Sequence, residues 1–358
     1  EEVKPLRVCF RTLCMFQNQE WGFGTENTDK IDTGVHIYNL LKDFAIAAAT
    51  SHRRELIFSP FPTVRDSATQ RLRLDPEAPN WQLLGTLLGS LPGAEEVREG
   101  VQSCISQREE SCLLLPLAQW VWCSNRAELA MLPRSQVFPQ FDTDAQYVVL
   151  QEDPSKQHAF DALCAKEGYF YAFHGSPAEN WHSIIRSGLK VMSNRPQYML
   201  NGAAHGEGIY LATQASTSLS YLASRHYVSS STSTTKNPTN GTLTTTTTIS
   251  VKPPQGTTFN CLAICQVAGK PEVYTGGRNT GGILVVKEPS RVCLRFLLVF
   301  RGAVTSREVT TTDEAFVAQA NTLLGVQPVQ PAPVQPDQPA VPAIGQAAEQ
   351  WADSVFAK

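Results

Sequence analysis

The stretch from residue 170 to residue 221 most constrains what this chain can fold into. Tyr169-Phe170-Tyr171-Ala172-Phe173 is an aromatic run of strand length that stops at His174-Gly175. Ser176, Pro177 and Glu179 then predict a helix start, with a serine N-cap, a proline at the first helical position and a capping-box glutamate. Trp181, Ile184, Ile185 and Leu189 follow at helical spacing, with Gly188 near the stop. His174 and Gly175 therefore stand at the carboxyl end of a strand, where a turn exposes side-chain and backbone groups to a ligand. The arrangement repeats downstream. Gly202, Gly206 and Gly208 loosen a loop, residues 209–212 predict a short strand, and a helix begins at about Ser216. Ser218 and Tyr221, three apart, are expected on one face of that helix. One histidine, one glycine and two tyrosines on adjoining elements suit a flat aromatic amide, held by stacking and backbone hydrogen bonds. A single histidine after a strand is an ordinary structural feature, so the constellation carries the reading.

His174-Gly175-Ser176, then Gly208-Ile209-Tyr210, then Ser218-x-x-Tyr221 resembles the NAD-binding signature of the poly(ADP-ribose) polymerase family, with Tyr210 and Tyr221 at the family's spacing. Glu-Asn-Trp-His-Ser-Ile after the His-Gly-Ser, and Asn-Gly-Ala-Ala before the Gly-x-Gly-Ile-Tyr, resemble the mono-ADP-ribosylating branch. Ser124-Asn125-Arg126, Val285-Val286-Lys287 and residues 292–296 extend the likeness to about residues 115–301. The resemblance implies an α+β ADP-ribosyltransferase fold, with two packed, mainly antiparallel β-sheets and flanking helices, preceded by a mostly helical domain.

It also implies roles. His174 would hydrogen-bond the NAD ribose. Gly175 would use its backbone N–H and C=O on the carboxamide, which demands close approach. Ser218 would bond the same carboxamide, Tyr210 and Tyr221 would sandwich the ring, and Ser176 and Asn180 would meet the adenosine half. The departure lies in the third catalytic position. Chain-forming members carry a glutamate that binds the ribose and activates an acceptor hydroxyl, and this chain has Ile283 there. Isoleucine neither accepts a hydrogen bond nor takes a proton. The His174–Tyr210–Ile283 triad thus predicts one transfer rather than elongation, with Glu207 a candidate substitute base. His182 and His205 read as structural.

Transfer from NAD breaks a glycosidic bond through an oxocarbenium-like state. Because neutral nicotinamide leaves, no strong acid is required, and the site's task is rigid positioning. The acceptor is then a nucleophile such as a carboxylate, a thiolate or a terminal phosphate, on a protein side chain or a phosphorylated nucleic-acid end. Two alternatives stand beside this. Ile283 would suit an inactive NAD-binding or interaction module. A related-fold, NAD-dependent RNA 2′-phosphotransferase would need basic residues in a phosphate pocket, for which only Arg186, Arg195 and Arg225 offer themselves.

The rest of the chain is consistent with an intracellular globular protein, cytoplasmic or nuclear. Net charge is −3, with no long basic run to track nucleic-acid phosphates, and no stretch of 18 apolar residues predicts a membrane span. The nine cysteines are scattered without Cys-x-x-Cys, which reads as buried thiols in a reducing compartment. Zinc on Cys104, Cys112, Cys123 and a histidine is the alternative, but tight ligand pairs are missing and no metal is expected. Glu1-Glu2-Val3, without an initiator methionine, reads as part of a longer protein.

Three parts are expected. Residues 1–112 form a mostly helical domain, with helices from Asp32 (capped by Thr33), around Trp81, and from Ala94 through Ile105. Residues 113–307 form the transferase, interrupted by a Ser/Thr-rich segment at 228–258 whose low apolar content predicts disorder. Within the transferase, residues 283–286 and 292–300 read as two antiparallel strands joined at Glu288-Pro289-Ser290. Residues 308–358 form a helix and a tail with six prolines between Pro328 and Pro342. The resembled branch includes fungal proteins with a ubiquitin-conjugating domain beyond such a tether, which makes that domain a candidate partner in the parent.

Overall fold

A computed structural model of the chain describes residues 28–66, 69–93, 96, 111–152, 154–192, 205–222, 228–236, 243–251, 259–274, 282–302, 304–306 and 308–325. The expected helix at 94–105, the N-terminal segment and the Pro-rich tail lie outside these residues, apart from position 96. The chain divides into two compact units. One is Glu1–Arg126 with Glu179–Arg186, and the other is Ala127–Ala178 with Ser187–Lys358.

The first unit is built on α1 (Thr28–Thr50), α2 (Arg54–Ile57), a two-stranded hairpin of β1 (Val64–Arg65) and β2 (Leu72–Leu74), α3 (Trp81–Gly89) and α4 (Ser111–Cys123). α1 starts ahead of the expected Thr33 cap, and its stripe of Leu40, Leu41, Phe44 and Ala48 is buried as the helical period requires. Asn80 caps α3 through the Leu83 N–H at 3.0 Å. α6 (Trp181–Ser187) lies in this unit through Arg186. Its Trp181 ring stacks on Phe44 and its His182 ring on Phe58, with centroids 6.2 and 4.1 Å apart.

The expected capping box at Ser176 and Glu179 does not form. Residues Ala178–Asn180 make a 3-10 turn, and the Glu179 carboxylate instead accepts from Ser51 Oγ at 2.5 Å and Arg53 at 2.9 Å. A charge-assisted pair with a buried arginine outweighs a local bond to one backbone N–H.

The second unit contains β3 (Glu128–Met131), β4 (Gln146–Gln151), α5 (Pro154–Glu167), β5 (Tyr169–Gly175), β6 (Ile209–Ala212), α7 (Ala215–Leu219), β7 (Val228–Lys236), β8 (Leu243–Val251), β9 (Phe259–Ala268), β10 (Ile283–Val286), β11 (Val292–Arg301), β12 (Val304–Ser306) and α8 (Glu314–Leu323). A seven-stranded sheet runs β10-β6-β5-β9-β11-β4-β3, and a three-stranded sheet runs β12-β8-β7. Every strand pairing among the described residues is antiparallel, so the expected α+β class holds.

The central strands β9 and β11 are buried almost throughout, which explains their continuous apolar runs. On one side Phe173, Ile264, Phe296 and Phe300 join Leu219 of α7 and Phe316 of α8 in a single core, each large side chain contributing roughly 1.5–3 kcal/mol by burial. Asp313 caps α8 through the Ala315 N–H at 2.8 Å. Tyr169 and Tyr171 of β5 both donate to Asn321 Oδ1, at 2.9 and 2.8 Å, and so fasten α8 to the strand that ends in His174.

Two expectations are corrected here. β10 and β11 do not pair with each other. β10 lies along β6 at the sheet edge and β11 lies along β9, because the buried run of β11 takes the sheet centre and the half-exposed β10 does not. The Ser/Thr-rich segment is not disordered across its described residues. β7 and β8 pair through an unbroken register from Val228↔Val251 to Lys236↔Leu243, and β12 extends the sheet. Threonine is β-branched and favours strands, which composition-based counting of apolar area overlooks.

Candidate functional site

The site is assembled where β5 meets β6. The two strands share a single registered pair, Phe173↔Ala212, and Ala212 in turn faces Ile283 of β10. Phe173, Ala212 and Ile283 therefore form one row across three strands, with His174 and Gly175 just beyond it. The His174 side chain reaches β6, and its Nδ1 lies 2.9 Å from the Tyr210 carbonyl oxygen. A carbonyl only accepts, so Nδ1 carries the proton, and in the neutral ring Nε2 is then an acceptor. Burial holds the His174 pKa below the ordinary value of 6.5, against a weaker upward pull from the Tyr210 bond, and the neutral ring is favoured.

Gly175 is a position of close approach. A Cβ placed on it would lie 1.8 Å from the Ser218 carbonyl oxygen and 2.7 Å from the Ser218 carbonyl carbon. Any side chain is excluded there unless backbone moves. Ser218 is buried, and its hydroxyl donates to the Phe173 carbonyl at 3.0 Å. α7 ends at Leu219, before the Tyr221 expected on its face, so Tyr221 stands in the following turn with its N–H on the Ser218 carbonyl at 3.1 Å. Its ring is half-buried.

Tyr210 is the half-exposed residue of β6, between buried Ile209 and Leu211. Its hydroxyl donates to the Gly206 carbonyl at 2.8 Å and accepts from the His205 N–H at 3.0 Å. The preceding loop is thus pinned at one end by the phenol. At the other end Gly208 abuts β10, where a Cβ would meet Val285 Cγ1 at 2.4 Å and the Val286 carbonyl oxygen at 2.9 Å. Gly206, at φ +90°, supplies the left-handed turn that brings both groups to one hydroxyl. Glu207 is exposed.

Ile283 opens β10 and is half-buried, as is Val285, while Leu284 and Val286 are buried. Position 283 thus presents a hydrocarbon at the start of this edge strand. Ser176 is buried in the second unit. Asn180 ends the 3-10 turn in the first unit and is half-buried.

Of the cysteines considered as zinc ligands, Cys112 bonds Asp66 at 3.5 Å, Cys123 is exposed and Cys104 lies outside the described residues. Among the described residues no group of three His, Cys, Asp or Glu is arranged to hold a metal ion, and no helix is long and apolar enough to cross a membrane. Burial raises the thiols of Cys164 and Cys293 to about 12, as befits packing residues rather than nucleophiles.

Sequence reasoning missed the link between the hydroxyl of Tyr210 and the His205-Gly206 backbone. The Gly-x-Gly spacing signalled a tight loop, but nothing in it signalled what the loop grips.

Residues 135–239 match the family model described as the poly(ADP-ribose) polymerase catalytic domain. The chain is 32% identical over 332 residues to Protein mono-ADP-ribosyltransferase PARP8 of Mus musculus and, equally, of Homo sapiens, across 89% of this chain and 38% of each relative. It is 24% identical over 242 residues to Protein mono-ADP-ribosyltransferase PARP16 of Mus musculus, across 63% of this chain and 61% of that protein. The chain thus spans under two-fifths of the length of the PARP8 proteins. The matched residues, the antiparallel sheet and the His174–Tyr210 pairing lead to one conclusion: the chain carries a poly(ADP-ribose) polymerase catalytic domain of ADP-ribosyltransferase fold, homologous to the PARP8 mono-ADP-ribosyltransferases.

Proposed function

We propose that this chain transfers a single ADP-ribose from NAD to an acceptor and releases nicotinamide. The observation that carries the reading is the contact of Gly175 with the Ser218 carbonyl, one residue from the His174–Tyr210 bond. A glycine backbone held open beside two half-buried tyrosines suits the flat face and amide edge of nicotinamide. NAD supplies an activated glycosidic bond to a good leaving group, so the residues need only bind and orient.

In this reading His174 accepts from a ribose hydroxyl at Nε2, and Gly175 offers its backbone to the carboxamide. With the Ser218 proton directed at Phe173, the lone pairs of that hydroxyl suit the carboxamide NH2. Tyr210 and Tyr221 bracket the ring, and Ser176 serves the adenosine half. Ile283 lacks any group to activate an acceptor hydroxyl, which supports one transfer onto an acceptor already nucleophilic, on a protein side chain or a phosphorylated nucleic-acid end.

Ile283 is also what favours the second reading, an NAD-binding module without transfer. The phosphotransferase reading is disfavoured by Arg186. Its guanidinium is buried in the first unit, bonded to Ser124 Oγ at 2.8 Å and to the Val121 and His182 carbonyls at 2.9 and 3.1 Å, where it braces α4 against α6 rather than lining a phosphate pocket.

Nicotinamide release in the presence of NAD tests the assignment. His174→Ala and Tyr210→Ala are expected to abolish transfer with the melting transition retained. Full transfer by either folded variant would overturn the site.

A further inference from the structure

We propose that Gln214 hydrogen-bonds the nicotinamide ribose of NAD and so supplies the polar contact that Ile283 cannot make; this rests on the transferase reading above. Three observations support it. Tyr210 and Ala212 share one face of β6, and Ile283 stands opposite Ala212, so the row leading from Tyr210 to β10 is hydrocarbon. Gln214 follows two residues later, and its Cγ lies 3.7 Å from the point that a Cβ on Gly282 would occupy, which sets the carboxamide beside position 283. The side chain is half-buried, makes no cap bond to α7, and has no hydrogen-bond partner among the described residues.

The backbone that carries it is held from two sides. The Thr213 N–H donates to the Gly282 carbonyl at 3.0 Å, and the Thr213 carbonyl accepts from the Thr311 N–H at 2.9 Å. Gln214 itself bridges Thr310, and the Ala215 N–H donates to the Val309 carbonyl at 2.8 Å. An unmatched carboxamide on so fixed a backbone is placed for a ligand. Chemistry selects the sugar. With the carboxamide of nicotinamide on Gly175 and its ring between Tyr210 and Tyr221, the ribose leaves on the side away from Gly175, along the row to Ala212 and Ile283. A ribose hydroxyl both donates and accepts, and a glutamine offers the matching acceptor and two N–H donors. An amide takes no proton, so Gln214 orients the sugar without activating an acceptor hydroxyl, in keeping with one transfer to an acceptor already nucleophilic.

Three variants and three dinucleotides test this. Gln214→Met keeps the length and removes the carboxamide, and Gln214→Glu keeps a hydrogen-bond acceptor of the same length. Thr213→Val removes the neighbouring hydroxyl, which a Gly282 Cβ would meet at 2.6 Å. Each folded variant is assayed for kcat/KM of nicotinamide release with NAD and with analogues lacking the 2′- or the 3′-hydroxyl of the nicotinamide ribose. The proposal expects Gln214→Met to lower kcat/KM with NAD about tenfold (~1.4 kcal/mol). With one of the two analogues that loss should shrink to within twofold, because the partner hydroxyl is already gone. Gln214→Glu is expected to recover most of the loss, and Thr213→Val to show none. No loss with NAD, or an equal loss with all three dinucleotides, would overturn the proposal, and so would the same pattern appearing in Thr213→Val instead. The cycle is repeated on Kd by calorimetry. A parent that binds NAD without releasing nicotinamide would strike the transferase reading, while the coupling in Kd would still decide this one.

Discussion

Gly175→Ala is the sharpest perturbation the structure offers. The added methyl would sit 1.8 Å from the Ser218 carbonyl oxygen, whereas real Cβ contacts essentially never fall below 3.0 Å. The opposing atoms are main chain, so no rotamer change relieves the clash. The end of β5 and the start of the turn after α7 must part by more than an ångström. Overpacking of this kind costs about 1–3 kcal/mol of stability, which a domain of ordinary stability survives. Activity is expected to suffer more, because about 1 Å of misplacement costs roughly 100-fold in a positioned reaction.

The assay is kcat/KM for nicotinamide release alongside a thermal melt. Gly85→Ala serves as a contrast. It lies in α3, where a Cβ meets nothing within 4 Å, and alanine there is expected to stabilise by roughly 0.5–1 kcal/mol with activity unchanged. A Gly175→Ala enzyme within threefold of the parent would refute the claim that this close approach forms the donor site.

Further outcomes follow from other contacts. Tyr210→Phe keeps the ring but frees the His205 N–H and Gly206 carbonyl, and is expected to lower stability by about 1 kcal/mol and speed amide exchange in the loop. Arg53→Ala removes the cation that pairs with Glu179 in the first unit and leaves the carboxylate its Ser51 bond. The two side chains are 8% and 18% exposed, so a loss of about 2–3 kcal/mol in urea denaturation is expected, and Arg53→Lys should restore only part. His174 and His182 both have pKa values pushed below 6.5 by burial, so the folded state resists their protonation. Their contribution to stability is full above about pH 6.5 and is lost as pH falls through the depressed folded values, so the melting temperature should decline across that acid window. The same shift keeps His174 neutral, so the acid limb of kcat/KM should lie below pH 6.5; a limb above that value would contradict the burial argument.

The local elements of this fold are legible in the sequence, and their partners are less so. Tyr169 to Gly175 announces a strand by its aromatic run, and Ile209 to Ala212 does so by the glycines before it. What fails is non-local. Glu179 sits three residues after Ser176 in the spacing of a capping box, yet its carboxylate is drawn to Arg53, more than a hundred residues away. Strands 283–286 and 292–301 are neighbours in sequence with a Pro-Ser turn between them, and the natural inference of a hairpin overlooks that each finds a better partner elsewhere. The Ser/Thr-rich segment differs for another reason, since its low hydrophobicity points to disorder whereas the β-branching of threonine favours strands. In the site, the family resemblance implies a close approach at Gly175, but only the folded chain shows the Ser218 carbonyl crowding that position.

The central claim is one transfer from NAD without elongation, and intact mass of the chain and of added acceptors after incubation with NAD tests it most directly. Reactions would contain the chain alone, or with 5′- or 3′-phosphorylated oligonucleotides. The account predicts a single ADP-ribose adduct on protein or oligonucleotide, absent with His174→Ala. A ladder of adducts would show that Ile283 does not prevent elongation and would contradict the mechanism; no adduct, with NAD binding retained by calorimetry, would contradict transfer itself.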